Sequence, residues 1–400
     1  MVTTLLCLAF VGLISSTGFL ILVVVAAIRF RLRARPAAPS SFPPVSVLKP
    51  LCGLEPNLED NLRSFFDQDY PQFELIFGAR GPADPALAVA RALHQRYPQV
   101  PVKFVFSGEP KLPNAKVASL EKMVPAAACG YLVMSDSDVR VPRSYLREVV
   151  WPLLDPEVGL VTCVYRGVST GTIWSRLDAL GMSVEMTSGV IVADLLEGMK
   201  FALGPTMATR RSVLHSVGGV GGLGEYYADD FVLGERVHAS GRQVVLSSCV
   251  IEQVAFNRGF RSTLRHQVRW MRSTRFSRPK GHVGTGLTFA VPFGLLALLA
   301  GIAGRHPRLG LLCCAAAVLN RMIMSAAAGW GVVRDRWALA CCWLYPLRDL
   351  LGFCFWLASF MGTTFVWRNG ETYRFLPGGK MVRVARKSSA SRTVAIDDLA

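Results

Sequence analysis

The 400 residues carry 51% hydrophobic side chains, a mean hydropathy of +0.35 and a formal net charge of +16. Apolarity and charge of that size seldom share one soluble domain, so a wholly soluble globule and a disordered chain are both excluded. A nucleic-acid binder needs its basic surface free of membrane segments, so the positive charge points to anionic headgroups or phosphate ligands, with no nucleic acid as partner.

From Thr4 to Ile28 no charged residue occurs, a run long enough to cross the roughly 30 Å hydrocarbon core as a helix. Arg29, Arg31, Arg33 and Arg35 follow it and nothing basic precedes it, which places the N-terminus outside and the next domain in the cytoplasm. A cleaved signal peptide would carry its basic residues on the other flank. The expected division is a transmembrane helix over 1–28, a cytoplasmic catalytic domain over 29–284, a multi-helix membrane region over 285–368 and a basic tail over 369–400. Pro36 to Pro44 reads as a stiff spacer. Ten scattered cysteines, among them Cys313-Cys314 and Cys341-Cys342 inside apolar runs, favour neither disulfides nor a zinc cluster.

The middle of the chain alternates strand and helix patterns. Val45 to Leu48, Phe73 to Phe77, Val102 to Phe106 and Tyr131 to Met134 read as strands; Leu58 to Phe66, Ala86 to Tyr97 and Ala115 to Met123 read as helices. This predicts an α/β domain with a mostly parallel sheet whose ligands bind at the carboxyl ends of the strands. Asp84, in the loop after the second strand, and Asp136, directly after the fourth, both project toward that edge. Each also has a plainer reading: Asp84 before Pro85 suits a helix N-cap, and Asp136 and Asp138 suit an Asx turn. Lys116 is either a phosphate-neutralising lysine or part of a solvated helix face.

Further on, five glycines between Gly218 and Gly224 predict a mobile loop beside Ala228-Asp229-Asp230. Of those two carboxylates, either can serve as a general base, and Asp229 also suits the N-cap of a following helix. Gln267-Val268-Arg269-Trp270 lies in a basic stretch from Arg258 to Lys280. It reads as an interfacial helix on anionic lipid, or as a grip on a diphosphate through arginine's bidentate fork. Leu287 to Ala303 and Leu309 to Gly329 read as a hairpin of two spans. A third apolar block, Trp337 to Trp367, is broken by Pro346, Arg348 and Asp349. A hairpin within that block would return the tail, with Lys380, Arg383, Arg386 and Lys387, to the cytoplasm.

Lys49-Pro50, the Asp84 loop, Asp136, Asp230 and Arg269-Trp270 occur in the order and spacing of family-2-like inverting glycosyltransferases, with their D, D, D and (Q/R)xxRW pattern. More narrowly, Asn57-Leu58, Phe65-Phe66, Asp69-Tyr70-Pro71, Asp84-Pro85-Ala86, Asp136-Ser137, Trp367-Arg368 and Tyr373-Arg374 resemble the ceramide glucosyltransferase family, including its bacterial hopanoid branch. The resemblance implies a GT-A type nucleotide-sugar-binding domain between membrane helices. In it Asp84 contacts the base or ribose, Asp136 belongs to the metal and diphosphate site, and Asp230 is the catalytic base. It further implies a UDP-sugar donor, a divalent metal (Mg or Mn) and a membrane-lipid acceptor, either ceramide or hopanoid, in an integral multi-pass protein of a bacterial inner membrane. Lys116, Arg269 and Trp270 would face the donor.

The chain departs from the pattern in three places. His266 stands at the Gln or Arg position with Gln267 beside it, so either is a candidate leaving-group contact. Asp138 completes an Asp-Ser-Asp motif that strengthens the metal inference. Gly181-Met182-Ser183-Val184 stands where the family has an acceptor-side histidine. Two other classes compete: a processive polysaccharide synthase, which would carry more pore-forming helices, and a non-catalytic lipid-binding adaptor, which leaves the spaced aspartates unexplained.

Overall fold

A computed structural model describes residues 2–33, 41–256, 259–367 and 370–384. Arg35, residues 36–40 of the spacer, Arg258, Arg368, Arg386 and Lys387 lie outside the described residues.

Among the described residues, eight strands form one sheet: β1 Val45–Pro50, β2 Phe73–Ala79, β3 Val102–Phe106, β4 Tyr131–Met134, β5 Val139–Arg140, β6 Val158–Ser169, β7 Met207–Arg210 and β8 Gln243–Ala255. Their order is β3-β2-β1-β4-β7-β6-β8-β5. The pairs β1–β2, β1–β4, β2–β3 and β6–β8 are parallel, whereas β4–β7, β6–β7 and β5–β8 are antiparallel. Helices Leu58–Phe66, Pro85–Arg96 and Ala115–Ala126 connect the parallel strands. This is the α/β, mostly parallel architecture expected of a GT-A type domain. The central strands are mostly apolar and buried over nearly their whole length, as strands covered on both faces must be, with Ser46, Lys49 and Glu74 as their polar exceptions.

Three helices among the described residues are long and apolar enough to cross a membrane: Val2–Leu32, Ile173–Glu197 and Pro307–Trp330; Val291–Ala303 is apolar but shorter. The first packs tightly on the shorter one, since a Cβ on Gly12 would lie 2.1 Å from the Phe293 ring. Its basic end reaches the second: Arg33 pairs with Asp194. Ile14, Leu299 and Leu312 point outward, each more than half exposed, the surface a lipid contact requires.

The broken block does not form a hairpin of two spans. It gives a short helix, Arg336–Ala340, a tight turn over Cys342–Leu344 and one helix, Tyr345–Ser359. The reason is electrostatic. The buried Asp349 carboxylate accepts from the backbone N–H of Ala290 and Val291 at 3.0 and 2.9 Å, at the start of Val291–Ala303, and pairs with the equally buried Arg321 at 3.2 Å. The charges that break the hydropathy pattern thus have distant partners, Asp349 in Arg321 and a helix terminus and Arg348 in Glu185.

After that helix, β9 Thr364–Val366, β10 Thr372–Phe375 and β11 Met381–Arg383 form a separate antiparallel sheet. So the segment expected as a tail is folded as far as Arg383, and it docks on the catalytic body: Met381 N–H donates to the Glu225 carbonyl at 2.7 Å and Tyr227 N–H to Gly379 at 3.2 Å. The chain leaves the body after Lys280 and returns to it, so any membrane crossings between are even in number. Arg321→Met would strand the Asp349 charge and is expected to cost about 3–5 kcal/mol; Asp349→Asn, which keeps an acceptor for both N–H groups, should cost less. Thermal unfolding in detergent measures both, and equal losses would contradict this account.

Candidate active site

The apolar β4 delivers Ser135-Asp136-Ser137-Asp138 to the carboxyl edge of the sheet, beside Lys49 at the end of β1. Lys49 is fully buried. Its Nζ donates to Ser135 Oγ at 3.3 Å and to the Asp136 carbonyl, and lies 3.9 Å from the centre of the Phe65 ring. Burial pulls its pKa down to about 7 against the opposing pull of Asp136, Asp138 and Glu55.

Helix Ala115–Ala126 starts where the Asn114 side chain accepts from Val117 N–H at 3.2 Å. The same side chain donates to the Tyr226 carbonyl at 3.0 Å and to Asp229 Oδ1 at 3.2 Å, tying this helix to the next functional one. Lys116, on the first turn, bridges Asp136 at 2.8 Å and Asp229 at 3.4 Å. It is therefore not part of a solvated helix face. Burial alone would lower its pKa, but Asp136, Asp229 and Asp230 outweigh that and raise it.

Asp229 and Asp230 open helix Asp229–Ala239, whose N-cap is Ala228. Asp229 is not the cap: it lies inside the helix, buried, with its side chain on Asn114 and Lys116. Asp230 is more exposed and accepts from Gly204 N–H at 2.6 Å and Phe231 N–H at 2.8 Å. Burial, then the Asp229 charge, pushes its carboxyl up to about 6, with Lys116 and the two N–H groups opposing. A Cβ on Gly204 would sit 3.1 Å from Asp230, 3.4 Å from Asp136 and 3.4 Å from Lys116. The missing side chain lets these three groups converge on the Gly204 backbone, the floor of the site. Nearby, Tyr165 on β6 has its phenol raised by burial and then by the charges of Asp230, Asp138 and Asp136.

Asp84 fills the plainer of its two expected roles. It caps helix Pro85–Arg96 through Ala86 N–H at 2.9 Å and accepts from Gly53 N–H at 3.0 Å. The loop begun by Gly53, whose φ of +70° suits glycine, continues to Glu55, which accepts from Ser137 Oγ at 2.5 Å. One loop thus links Asp84 to the Asp136 turn. Asp138 is anchored on β8, its carbonyl accepting from Val254 N–H at 3.0 Å and its carboxylate from Gln253 at 3.4 Å.

The donor set suits a hard divalent cation: carboxylates at one edge, offset by lysines. No group of three His, Cys, Asp or Glu side chains with metal-holding geometry occurs among the described residues. One or two carboxylates with diphosphate and water is the usual way Mg is held, so Asp136 with Asp138 fits such a cation.

His266, Gln267, Arg269 and Trp270 lie on helix Phe260–Ser277. His266 lies tilted against Trp270, ring centres 4.9 Å apart, and Arg269 has its Nε buried with no hydrogen bond among the described residues. Gln267 is a correction. It is buried on another face of the helix, with Nε2 on Asp178 at 3.0 Å and Oε1 accepting from Arg348 at 3.1 Å, so it has no amide to offer a leaving group. The glycines from 218 to 224 also differ from expectation. Gly221–Leu223 is a tight turn, and Gly224 and Gly221 pack on Leu112 and Glu121 so closely that a Cβ would lie 2.4 and 2.6 Å from them.

One part of the site was named in the sequence without a role, and another escaped it. Lys49, which with Pro50 opens the glycosyltransferase pattern, was visible as a charge ending an apolar strand at the ligand edge, a placement costly enough to need a reason. Tyr227, just before the aspartate pair, sits 5.3 Å from Phe365, Trp367 and Phe375 of the second sheet, a contact no local pattern announces.

The family model described as glycosyl transferase family 21 matches residues 6–381. Ceramide glucosyltransferase 1 of Caenorhabditis elegans is 23% identical over 364 residues, covering 90% of this chain and 77% of that protein. Ceramide glucosyltransferase 3 of the same organism is 24% identical over 257 residues, 61% of this chain and 53% of that one. The ceramide glucosyltransferase of Komagataella phaffii is 35% identical over 118 residues, 28% of this chain and 23% of that one. Among solved structures, the mannosyltransferase PcManGT from Pyrobaculum calidifontis in complex with GDP-Man and Mn2+ aligns with a TM-score of 0.49 and 19% identity, over 88% of this chain and 99% of that one. Since the family model spans the chain from the first apolar helix to the strand at Met381, the chain belongs to glycosyl transferase family 21.

Proposed function

We propose that the protein transfers a hexose or N-acetylhexosamine from a UDP-sugar to the hydroxyl of a membrane lipid, a ceramide or hopanoid, with inversion at the anomeric carbon. The observation that carries this reading is the convergence of Asp136, Lys116 and Asp230 on the backbone at Gly204, in a body joined to long apolar helices. Donor chemistry and acceptor supply are thereby joined in one chain.

Asp230 acts as the base. It takes the proton from the acceptor hydroxyl while that oxygen bonds to the anomeric carbon and the bond from that carbon to the diphosphate oxygen breaks, with the electron pair leaving on UDP. Gly204 N–H and Phe231 N–H orient its two oxygens, and Asp229, clamped by Asn114 and Lys116, is kept back from the floor of the site. Lys116, Arg269 and His266 offer positive charge or N–H donors to the diphosphate, and Asp84 and its loop close the nucleotide end. Asp136 and Asp138 would hold a divalent cation, which when bound would neutralise charge on the departing diphosphate. Val2–Leu32 and the hairpin of Val291–Ala303 and Pro307–Trp330 cross the bilayer, Ile173–Glu197 stays with the catalytic body because it joins β6 to β7 of one sheet, and lipid enters from the inner leaflet.

The direct test incubates the purified full chain in detergent with UDP-glucose, UDP-galactose or UDP-N-acetylglucosamine and with ceramide or a hopanoid polyol, reading products by mass spectrometry. Lipid-linked sugar supports the proposal, while polymer, or no glycolipid with any pair, sinks it.

Asp230→Asn is expected to bind UDP normally but to lose about 10²–10⁴ in turnover; full turnover would transfer the base role to Asp229. Only the ionised carboxylate accepts a proton. With the Asp230 pKa raised to about 6, turnover holds above that value and falls by about tenfold per pH unit below it, and a flat profile down to pH ~4 would contradict the assignment. Asp136→Ala should abolish the enhancement of UDP affinity by Mn or Mg seen on titration calorimetry; identical affinities with cation and with chelator in the unaltered chain would remove the metal from the scheme.

A further inference from the structure

Beneath the catalytic edge the Asp136 turn and the Gly204 turn are held by buried groups that none of the steps above uses. The second of these turns runs Leu203-Gly204-Pro205-Thr206 and closes on itself, Thr206 N–H donating to the Leu203 carbonyl at 3.1 Å. Pro205 has no N–H, so Gly204 supplies the only backbone donor at the tip, and that donor is spent on Asp230. Thr162 of β6 grips the turn through its backbone: Oγ1 donates to the Thr206 carbonyl at 2.8 Å and accepts from Leu203 N–H at 2.9 Å. A second hold comes from Tyr145, whose hydroxyl lies 3.0 Å from Thr206 Oγ1.

Tyr145 opens the short helix Tyr145–Val150, the next element after β5 and so after the segment that carries Asp136 and Asp138. Its ring stands edge-on to Phe65, centres 5.8 Å apart. The Phe65 ring in turn carries the Lys49 ammonium, which holds Ser135 and the Asp136 carbonyl. Lys49, Phe65, Tyr145, Thr162 and Thr206 are all fully buried, so a polar group among them that lost its partner would find no water to replace it. Burial also raises the Tyr145 phenol well above its ordinary range, and it stays a neutral hydroxyl. The cation side and the base side of the site are thus joined below the sheet edge by one continuous path, Asp136 turn to Lys49 to Phe65 to Tyr145 to Thr206 to Gly204.

We propose that Tyr145 is a positioning residue for the base: by holding Thr206 it fixes the Gly204 turn, and with it the angle at which Gly204 N–H sets the Asp230 carboxylate against the acceptor hydroxyl. Its ring, through Phe65 and Lys49, keeps that turn at a constant spacing from the Asp136 turn. Inversion needs the attacking oxygen, the anomeric carbon and the departing diphosphate oxygen in line, and a misplacement of about 1 Å costs about 10²-fold in rate. Donor binding draws on Asp84 and Asp136 and does not need the Gly204 turn in register, so the effect of Tyr145 falls on turnover. The inference rests on the transferase reading, in which Asp230 is the base.

The test measures turnover by the full chain in detergent micelles with UDP-glucose, UDP-galactose or UDP-N-acetylglucosamine and ceramide or a hopanoid polyol, whichever pair gives most product, beside calorimetric UDP affinity and thermal unfolding. Tyr145→Phe keeps the ring on Phe65 and removes the hydroxyl; kcat is expected to fall about 10- to 100-fold while donor KM and UDP affinity move less than about threefold. Thr206→Val should behave alike, and Thr206→Ser, which keeps a hydroxyl, should hold turnover within about threefold of the unaltered chain. The double variant Tyr145→Phe/Thr206→Val leaves neither hydroxyl unpaired, so its stability is expected to return toward that of the unaltered chain while turnover stays low. A purely structural pair would let turnover recover with stability, and that result overturns the proposal, as does a kcat for Tyr145→Phe within about twofold of the unaltered value. Should Tyr145→Phe lose UDP binding through misfolding, Thr206→Val decides by the same criterion. Full turnover in the variants leaves the transferase reading standing, whereas no glycolipid from the unaltered chain with any pair removes that reading and the positioning role with it.

Discussion

The organisation of the catalytic edge depends on one electrostatic constraint, the crowding of carboxylates around a buried ammonium. Asp136, Asp229 and Asp230 could not be held so near one another in half-buried surroundings without Lys116 among them, because repulsion between like charges grows as water is removed. Lys116 pairs with the first two and leaves Asp230 its raised carboxyl. The elements that meet there come from distant parts of the chain: the turn after β4, the first turn of helix Ala115–Ala126, the Gly204 loop and helix Asp229–Ala239. The ion cluster is thus also a fold restraint. Lys49 serves the same edge from beneath through backbone and hydroxyl oxygens of the Asp136 turn.

A second constraint operates where the catalytic body meets the apolar helices. The Arg321–Asp349 pair fixes the start of Val291–Ala303, and the Arg348–Glu185 pair is joined through Gln267 to the helix that carries the Arg-Trp motif. Buried pairs of this kind add little net stability compared with apolar packing. What they provide is register: the helices cannot slide without leaving a charge unpaired. Helix Phe260–Ser277 is gripped similarly on another side, where Phe276 stacks on Phe375 at 5.5 Å and Arg272 donates to the Thr364 carbonyl at 2.6 Å.

The α/β core was legible because each element has a strong local pattern. The strands from Val45 to Met134 and the helices between them begin and end within a few residues of their periodicity, and Asp84 and Asp136 fall at the ligand edge simply because they follow strands. Gln267 was misplaced because a motif spells residues in a line while a helix turns them about 100° per step, so the neighbour of His266 faces another partner. The block from Trp337 to Trp367 was misread for a different reason. Hydropathy treats Arg348 and Asp349 as interruptions, whereas in the fold their partners Glu185 and Arg321 lie far away in sequence. The glycine stretch from 218 to 224 likewise suggested freedom, but those glycines are small so that Leu112 and Glu121 can press against them.

The second sheet shows how the two constraints are joined. Tyr227 immediately precedes Ala228 and the aspartate pair, and its ring is enclosed by Phe365, Trp367 and Phe375, while Lys380 pairs with Glu225 at 2.7 Å. The chain that leaves the body after helix Phe260–Ser277 therefore returns, past the apolar helices, to hold the approach to Asp230. The Lys380–Glu225 pair is exposed and contributes little by itself. The aromatic cluster is the stronger tie, since ring contacts of this kind add about 0.5–1.5 kcal/mol per pair beyond their buried area. A displacement of helix Tyr345–Ser359 would consequently be felt at two points, through Arg348 at the Arg-Trp helix and through the second sheet at Tyr227. The same covalent and packing route that positions the apolar helices also positions Tyr227 and the aspartate pair that follows it.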